Sequence, residues 1–276
     1  MHVSTTIIGC GITWRGSEPI PDIPHPVGGL LSVHNRGWWI NPEFSDVLAE
    51  SWIEACYAQR VSPISVFGGP AIRQMGDKEI AAYVYNAVRR YADRVSIWQV
   101  GNEVDAGGWL FDDCRGEKAG KMFRLLENVI LEADHGATVI APSIESIWLT
   151  GHGLQTLAGM LRGYGGLPKD VAVHVYTDGR TTADIEPALH RVWGCLESFG
   201  KTGDAGTRLW VTEAGMTGFS DLTSTQQGTW LRQTIRACKN ANVHALCQYM
   251  FDNGAPGLWG FIDRGRSVWN TAVRAS

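Results

Sequence analysis

Two glutamates in this chain follow apolar runs that end abruptly in polar residues. The first run, Trp98–Asp105 (WQVGNEVD), contains Glu103, and the second, Leu209–Gly215 (LWVTEAG), contains Glu213. An apolar run closed by polar groups is typical of a buried strand with an exposed tip. If the two tips lie side by side, their carboxylates could act together as the acid and the nucleophile, or the acid and the base, of glycoside hydrolysis.

The segments that would have to position these glutamates alternate between strand-like and helix-like patterns. Strands are predicted near Val3–Gly11, Val27–His34, Val61–Phe67, Val95–Asn102, Thr138–Ile144, Val171–Tyr176, Arg208–Thr212 and Val243–Phe251. Helices are predicted over Phe44–Arg60, Asp77–Arg94, Glu117–His135, Leu154–Tyr164, Thr182–Phe199, Thr223–Asn240 and Val268–Arg274. This alternation favours parallel βα units in an α/β fold.

Eight strands in this order fit a (β/α)8 TIM barrel better than an open doubly wound sheet. The pattern predicts one catalytic domain over residues 1–276, which is a usual length for such a barrel. Four prolines within Arg15–Pro26 make the first crossover irregular, because proline lacks a backbone donor and clashes with the preceding helical turn.

The active site of a barrel of this kind lies at the carboxyl ends of its strands, where the βα loops converge. The predicted strand ends carry Trp14, Asn35, Gly68-Gly69, Asn102-Glu103, Ser143 with Glu145, His174 with Tyr176, Glu213, and Asp252-Asn253. A single carboxylate at a strand tip could instead cap the next helix or pair with a cation. Two glutamates ending strands four and seven favour a catalytic pair, since opposite strands project across the barrel mouth.

Period-two alternation predicts which side chains share a face of each strand. It places Ala172, His174 and Tyr176 together on strand six, and it places Leu209, Val211 and Glu213 together on strand seven. Consecutive Asn102 and Glu103 cannot both follow this alternation. A twist or bulge at the end of strand four would have to turn both toward the cleft.

Charge and hydropathy exclude several classes of partner. The chain has 276 residues, 44% of them hydrophobic, with a net charge of −4 and a pI of about 6.1. We therefore expect neither nucleic acid nor a membrane surface as a partner. The first residues (MHVSTTIIGCG) lack the basic start and apolar core of a secretory signal, so we expect a cytoplasmic protein or one released by lysis, or a secreted one if a signal has been removed.

Cysteine and histidine spacing gives no sign of a metal centre. The six cysteines contain no CxxC pair and the eight histidines are scattered. We expect no metal, no cofactor and a monomer. Free buried thiols are the default interpretation of the cysteines, although Cys195 and Cys238 fall on neighbouring predicted helices, where a disulfide remains open.

Four motifs together resemble glycoside hydrolase clan A, the retaining (β/α)8 glycosidases. Asn102-Glu103 ends strand four and Glu213 ends strand seven, as in that clan. His174-Val175-Tyr176 is similar to its His-x-Tyr on strand six, and Trp259-Gly260 to its tryptophan loop after strand eight. One feature departs from the pattern, because strand two ends in His34-Asn35 rather than in the arginine that many members carry, and Arg36 stands just beyond.

The resemblance implies a role for each matching residue. It makes Glu103 the general acid/base and Glu213 the nucleophile, with Asn102 bonded to the sugar 2-hydroxyl. It implies that Tyr176 keeps the pKa of Glu213 low by donating to it, and that His174 contacts the sugar or the acid/base. Trp259 would form the floor of the subsite where cleavage occurs.

Aromatic side chains on predicted loops suit a carbohydrate substrate, because flat rings stack on the apolar face of a sugar. Besides Trp259 we expect Trp14, Asn35, Trp109 and Glu145 to line the cleft. Short predicted loops favour an open groove and cleavage within a β-linked polysaccharide or oligosaccharide. The alternatives are an exo-acting β-glycosidase, an α-L-arabinofuranosidase, or a barrel that binds glycan without catalysis.

Overall fold

The computed structural model of the protein describes residues 7–11, 32–34, 50, 53–54, 56–58, 62–68, 75–106, 116–145, 151–177, 182–200, 206–216 and 222–249. Its strands all run parallel and pair in chain order, and β1 also pairs with β8, so the sheet forms a closed barrel. The strands are β1 (Ile7–Gly11), β2 (Ser32–His34), β3 (Ser62–Phe67), β4 (Ile97–Val100), β5 (Thr138–Ile140), β6 (Asp170–Tyr176), β7 (Arg208–Gly215) and β8 (Ala245–Tyr249).

Helices follow most of the later strands. They are α1 (Asp77–Tyr91), α2 (Glu117–Ala133), α3 (Gly151–Tyr164), α4 (Ile185–Glu197) and α5 (Ser224–Asn240), with short 3-10 turns at Val104–Ala106 and Thr182–Asp184. The predicted α/β class with a parallel sheet is confirmed. A full set of eight βα units and a single domain over 1–276 stay predictions, because the first crossover and the region after β8 lie outside the described residues. Within the described part, no helix has the length and apolarity needed to cross a membrane.

Side-chain alternation on the strands separates two apolar cores. The inner core fills the barrel with Ile64, Ile140, Ala172, Trp210, Ala245 and Cys247. The outer core joins the sheet to the helices and includes Trp98, which stacks on Phe67 with ring centroids 5.2 Å apart. Helix α1 contributes a single buried face, on which Ile80, Val84 and Val88 recur every four residues.

Helices α2 and α3 approach each other backbone to backbone through glycines. A Cβ atom added at Gly120 would lie 2.0 Å from the carbonyl oxygen of Met160, and one at Gly163 would lie 2.0 Å from that of Glu117. Because no side chain fits in these gaps, the two helices pack closely behind β4 and β5.

A buried ion pair closes the end of the barrel at which β6 and β7 begin. The Asp170 carboxylate is buried and accepts hydrogen bonds from Arg208 Nη2 at 2.7 Å and from Trp210 Nε1 at 2.7 Å. This cluster lies at the amino-terminal end of the strands, opposite the end where a barrel active site forms, so it stabilises the fold.

Cysteines in the described part are unbonded. Cys56, Cys195, Cys238 and Cys247 are all free thiols. A disulfide between Cys195 and Cys238, which the sequence left open, is therefore wrong. The thiol of Cys195 instead contacts the Leu154 carbonyl oxygen at 3.9 Å.

Candidate active site

Strand β4 ends earlier than predicted, and the chain then makes a left-handed turn. The strand stops at Val100, Gly101 has a φ of 86° and Glu103 a φ of 47°. A non-glycine residue in this region costs about 1–3 kcal/mol and persists only where the surroundings enforce it. The turn supplies the twist that the sequence requires at this tip, and Asn102 and Glu103 are both buried there, 4% and 7% exposed.

Hydrogen bonds from Ser143, in the segment after β5, hold this turn in place. The Glu103 backbone N–H donates to Ser143 Oγ at 2.9 Å, and the Ser143 hydroxyl donates to Asn102 Oδ1 at 3.1 Å. Gln99, also buried, donates from Nε2 to the Gly101 carbonyl oxygen at 2.9 Å. These bonds hold the turn together, while Asn102 Nδ2 and Gln99 Oε1 are buried with no hydrogen-bond partner among the described residues.

Strand β7 presents Glu213 through a bulge. Val173 pairs with Val211 but His174 pairs with Glu213, so Thr212 is an extra residue with no partner on β6. The predicted face that joined Leu209, Val211 and Glu213 is therefore wrong. Leu209 and Val211 belong to the outer core against the helices, and the bulge at Thr212 reverses the alternation so that Glu213 lies beside His174.

Glu103, His174 and Glu213 converge at the carboxyl ends of β4, β6 and β7. His174 Nδ1 lies 3.0 Å from Glu103 Oε1 and 3.8 Å from Glu213 Oε2. One carboxylate oxygen of each glutamate and a ring nitrogen of the histidine all lie within 4.8 Å of one another. The Tyr176 hydroxyl donates a hydrogen bond to Glu213 Oε2. Five predicted site residues thus lie together at one end of the barrel: Asn102, Glu103, His174, Tyr176 and Glu213.

Burial makes the charges of this cluster depend on one another. His174 and Glu213 are fully buried. Two carboxylates this close repel each other, and burial reduces the screening of that repulsion by water. Burial, together with the negative charge of Glu213, raises the pKa of the Cys247 thiol to about 12, so this thiol is neutral.

The same three side chains are a set whose donor atoms could hold a metal ion. Their orientations have another explanation, because His174 Nδ1 is bonded to Glu103 and Glu213 accepts from Tyr176. The contact between His174 and Glu103 and the contact between Tyr176 and Glu213 are therefore both explained by hydrogen bonds, without a metal ion.

The other predicted site residues divide into two groups. Glu145 follows β5 and is half-buried, and its backbone N–H donates to Asp105 Oδ1 at 2.8 Å. Asp105, which the sequence analysis left without a role, ties the loop after β4 to the loop after β5. Four predicted substrate contacts lie outside the described residues: Trp14, Asn35, Trp109 and Trp259.

Comparison with known proteins rests on structure. No protein-family model matches the chain. No curated protein matches it. A glucosidase from Croceicoccus marinus superposes with a TM-score of 0.73 at 13% identity, covering 96% of this chain and 66% of that one. The fold is that of solved glycoside hydrolases.

Two further solved structures give the same result. A family 39 glycoside hydrolase from Bacteroides cellulosilyticus has a TM-score of 0.64 at 14% identity and covers 91% of this chain. Xylanase 10B from Thermotoga maritima has a TM-score of 0.65 at 16% identity and covers 98% of this chain and 95% of that one. The chain spans 66% of the glucosidase and 57% of the family 39 enzyme. The resemblance to barrel glycosidases noted in the motifs is thus confirmed in the fold, while the family stays unresolved.

Proposed function

We propose that the protein is a retaining glycoside hydrolase in which Glu213 is the nucleophile and Glu103 the general acid/base. One observation carries the proposal: two buried glutamates from different strands have carboxylate oxygens within 4.8 Å of each other, with a histidine between them. Retaining enzymes hold their carboxyl groups about 5–5.5 Å apart, whereas inverting enzymes need about 6.5–9.5 Å to admit a water. An approach of two carboxylate oxygens to within 4.8 Å is compatible with the shorter spacing, and retention is therefore the mechanism proposed.

The hydrogen bonds support this assignment of roles over the reverse. Glu213 accepts from the Tyr176 hydroxyl, and a donor of this kind stabilises the ionised carboxylate that a nucleophile must be. Glu103 is 7% exposed whereas Glu213 is fully buried, so Glu103 is the glutamate that water can approach for the second step. His174 Nδ1 orients Glu103 through the 3.0 Å contact.

The reaction takes two displacements. A Glu213 oxygen attacks the anomeric carbon and forms a glycosyl ester, while Glu103 gives its proton to the departing glycosidic oxygen. Glu103, now a carboxylate, then removes a proton from a water that attacks the same carbon and releases Glu213. The product keeps the anomeric configuration of the substrate because each displacement inverts it once.

The substrate within this proposal is a β-linked polysaccharide or oligosaccharide, cleaved internally. Short predicted loops support an open groove, and the names of the structural neighbours make glucosides and xylan the first substrates to test. Product sizing on β-glucans, mannans, xylans and arabinans separates internal cleavage from release of terminal sugars. Binding of a glycan with no hydrolysis would instead indicate a non-catalytic barrel.

Substitution of each glutamate tests the mechanism. Glu103→Gln should lower turnover of a polysaccharide by about 10²–10⁴-fold, the usual contribution of a general acid/base, and should spare the first step of an aryl glycoside with a good leaving group. Glu213→Gly should be inactive and should regain activity with azide, giving a glycosyl azide of inverted configuration. Glu117→Gln removes an exposed carboxylate on α2 and should match the wild type. Near-normal turnover by Glu103→Gln or Glu213→Gly would refute the proposal.

A further inference from the structure

Ser143 contacts three consecutive residues of the turn that carries the proposed acid/base. It is fully buried and lies three residues after the end of β5. Its hydroxyl oxygen accepts from the Glu103 backbone N–H at 2.9 Å and its hydroxyl hydrogen is donated to Asn102 Oδ1 at 3.1 Å. Its carbonyl oxygen accepts from the Val104 backbone N–H at 3.1 Å. One serine thus joins the left-handed turn after β4 to the neighbouring strand.

Hydrogen-bond accounting fixes the direction of these contacts. The Glu103 backbone N–H and Gln99 Nε2, which lies 3.4 Å from Ser143 Oγ, can only donate. The Gln99 amide cannot be reversed without losing its bond to the Gly101 carbonyl oxygen. A reversed Asn102 amide would add a third donor to Ser143 Oγ and leave the hydroxyl hydrogen without an acceptor.

The polarity of the Asn102 side chain follows from this. With Oδ1 held by Ser143, the amide nitrogen Nδ2 points the other way, and it is buried with no hydrogen-bond partner among the described residues. A buried donor left without a partner costs about 1–3 kcal/mol. This free-energy cost is removed if a ligand in the cleft next to Glu103 offers a hydrogen-bond acceptor to Asn102 Nδ2.

We infer that Ser143 is a positioning residue that fixes Asn102 with its amide nitrogen toward the sugar hydroxyl adjacent to the anomeric carbon. The inference rests on the proposed function, because that function supplies the sugar. Ser143 acts through Asn102, and it also supports the strained backbone at Glu103, so its loss affects the contact to the 2-hydroxyl and the placement of the acid/base.

A matched pair of substrates separates positioning from general support of the fold. The substrates are an aryl β-glycoside that the enzyme hydrolyses and its 2-deoxy analogue. Ser143→Ala should lower kcat/KM for the 2-hydroxy substrate by about 10- to 100-fold, the size of one well-placed hydrogen bond in the transition state. It should lower kcat/KM for the 2-deoxy substrate less, because Asn102 has no partner there in either enzyme and only the effect on the placement of Glu103 remains.

Control variants make the result specific. Ser65→Ala removes another fully buried serine hydroxyl, one with no hydrogen-bond partner among the described residues, and should leave the ratio of the two kcat/KM values unchanged. Ser143→Cys keeps the volume with a weaker donor and should fall between serine and alanine. The double variant Ser143→Ala/Asn102→Ala should lose less on the 2-hydroxy substrate than the two single losses multiplied together, since both changes remove the same contact to the 2-hydroxyl.

The outcomes distinguish the two proposals. If the wild type is active but its preference for the 2-hydroxy substrate survives Ser143→Ala, the inference is wrong and the proposed function stands. If the wild type hydrolyses no glycoside, both are wrong. In ¹⁵N-labelled protein, Ser143→Ala should shift the Asn102 side-chain amide and Glu103 backbone amide resonances whether or not the enzyme is active, and unshifted resonances would overturn the hydrogen-bond assignment.

Discussion

Replacing Tyr176 with phenylalanine tests how Glu213, the proposed nucleophile, is stabilised. The Tyr176 hydroxyl donates to Glu213 Oε2, and Glu213 is fully buried. A hydrogen bond to a charged group contributes about 1.5–3 kcal/mol. Since about 1.4 kcal/mol is a factor of ten, the loss should slow the affected step by roughly 10- to 100-fold.

The affected step follows from where charge appears. During hydrolysis of the glycosyl ester, negative charge returns to Glu213, and the Tyr176 hydroxyl stabilises it as it forms. Tyr176→Phe should therefore slow the second step more than the first, so a covalent intermediate should accumulate. Because the ionised carboxylate is also less stable without the donor, the acidic limb of the kcat/KM profile should move to higher pH.

The assay is a stopped-flow burst with a dinitrophenyl glycoside, supported by mass spectrometry of the trapped intermediate. Tyr164→Phe is the matched control, because the Tyr164 hydroxyl donates to the Glu127 carboxylate at 2.7 Å between α2 and α3, away from the site. It should alter stability and leave the pH profile in place. Equal slowing of both steps in Tyr176→Phe, with an unmoved acidic limb, would refute the reasoning.

Two further predictions concern stability. Gly120→Ala should destabilise the protein by about 1–3 kcal/mol, because the added methyl group meets the Met160 carbonyl oxygen at 2.0 Å; Gly194→Ala, where a Cβ meets nothing within 4 Å, should stabilise α4 by up to about 1 kcal/mol. Urea unfolding measures both, and equal effects would contradict the packing described. Burial, reinforced by the Arg208 guanidinium, lowers the pKa of His244 from its ordinary 6.5. The unfolded chain then binds more protons, so the free energy of unfolding should fall as pH drops below 6.5, and His244→Gln should flatten that slope. An unchanged slope would exclude His244 as its source.

Much of the framework could be predicted because it depends on local patterns. Apolar runs closed by polar residues located strands β4 and β7, although β7 continues to Gly215, three residues beyond its predicted end. Regular alternation of strand and helix indicated a parallel sheet. Helix α3 is one turn longer at its start than predicted, and β4 ends two residues sooner because Gly101 leaves the extended conformation. Such boundaries depend on backbone dihedral angles that residue types alone do not fix.

Contacts between distant segments could not be predicted in the same way. The bond from Ser143 to Asn102 joins the segments that follow β4 and β5, and no pattern within either segment reveals it. The face of β7 was predicted wrongly because the counting rule assumes an uninterrupted strand, whereas the extra residue at Thr212 depends on pairing with β6 and β8. Residue types indicated which groups lie at the barrel mouth, and only the register determined their directions.

The bulge in β7 has a consequence for any alignment of this chain with distant proteins. Before it, even-numbered residues such as Trp210 look into the barrel, and after it the odd-numbered Glu213 does. When β7 is aligned without a gap to a strand that lacks the bulge, only one half of β7 can be aligned correctly. Either Leu209 to Val211 or Glu213 to Gly215 is then shifted by one residue. An alignment that allows no gap inside the strand therefore misplaces Glu213 unless Thr212 is treated as a one-residue insertion.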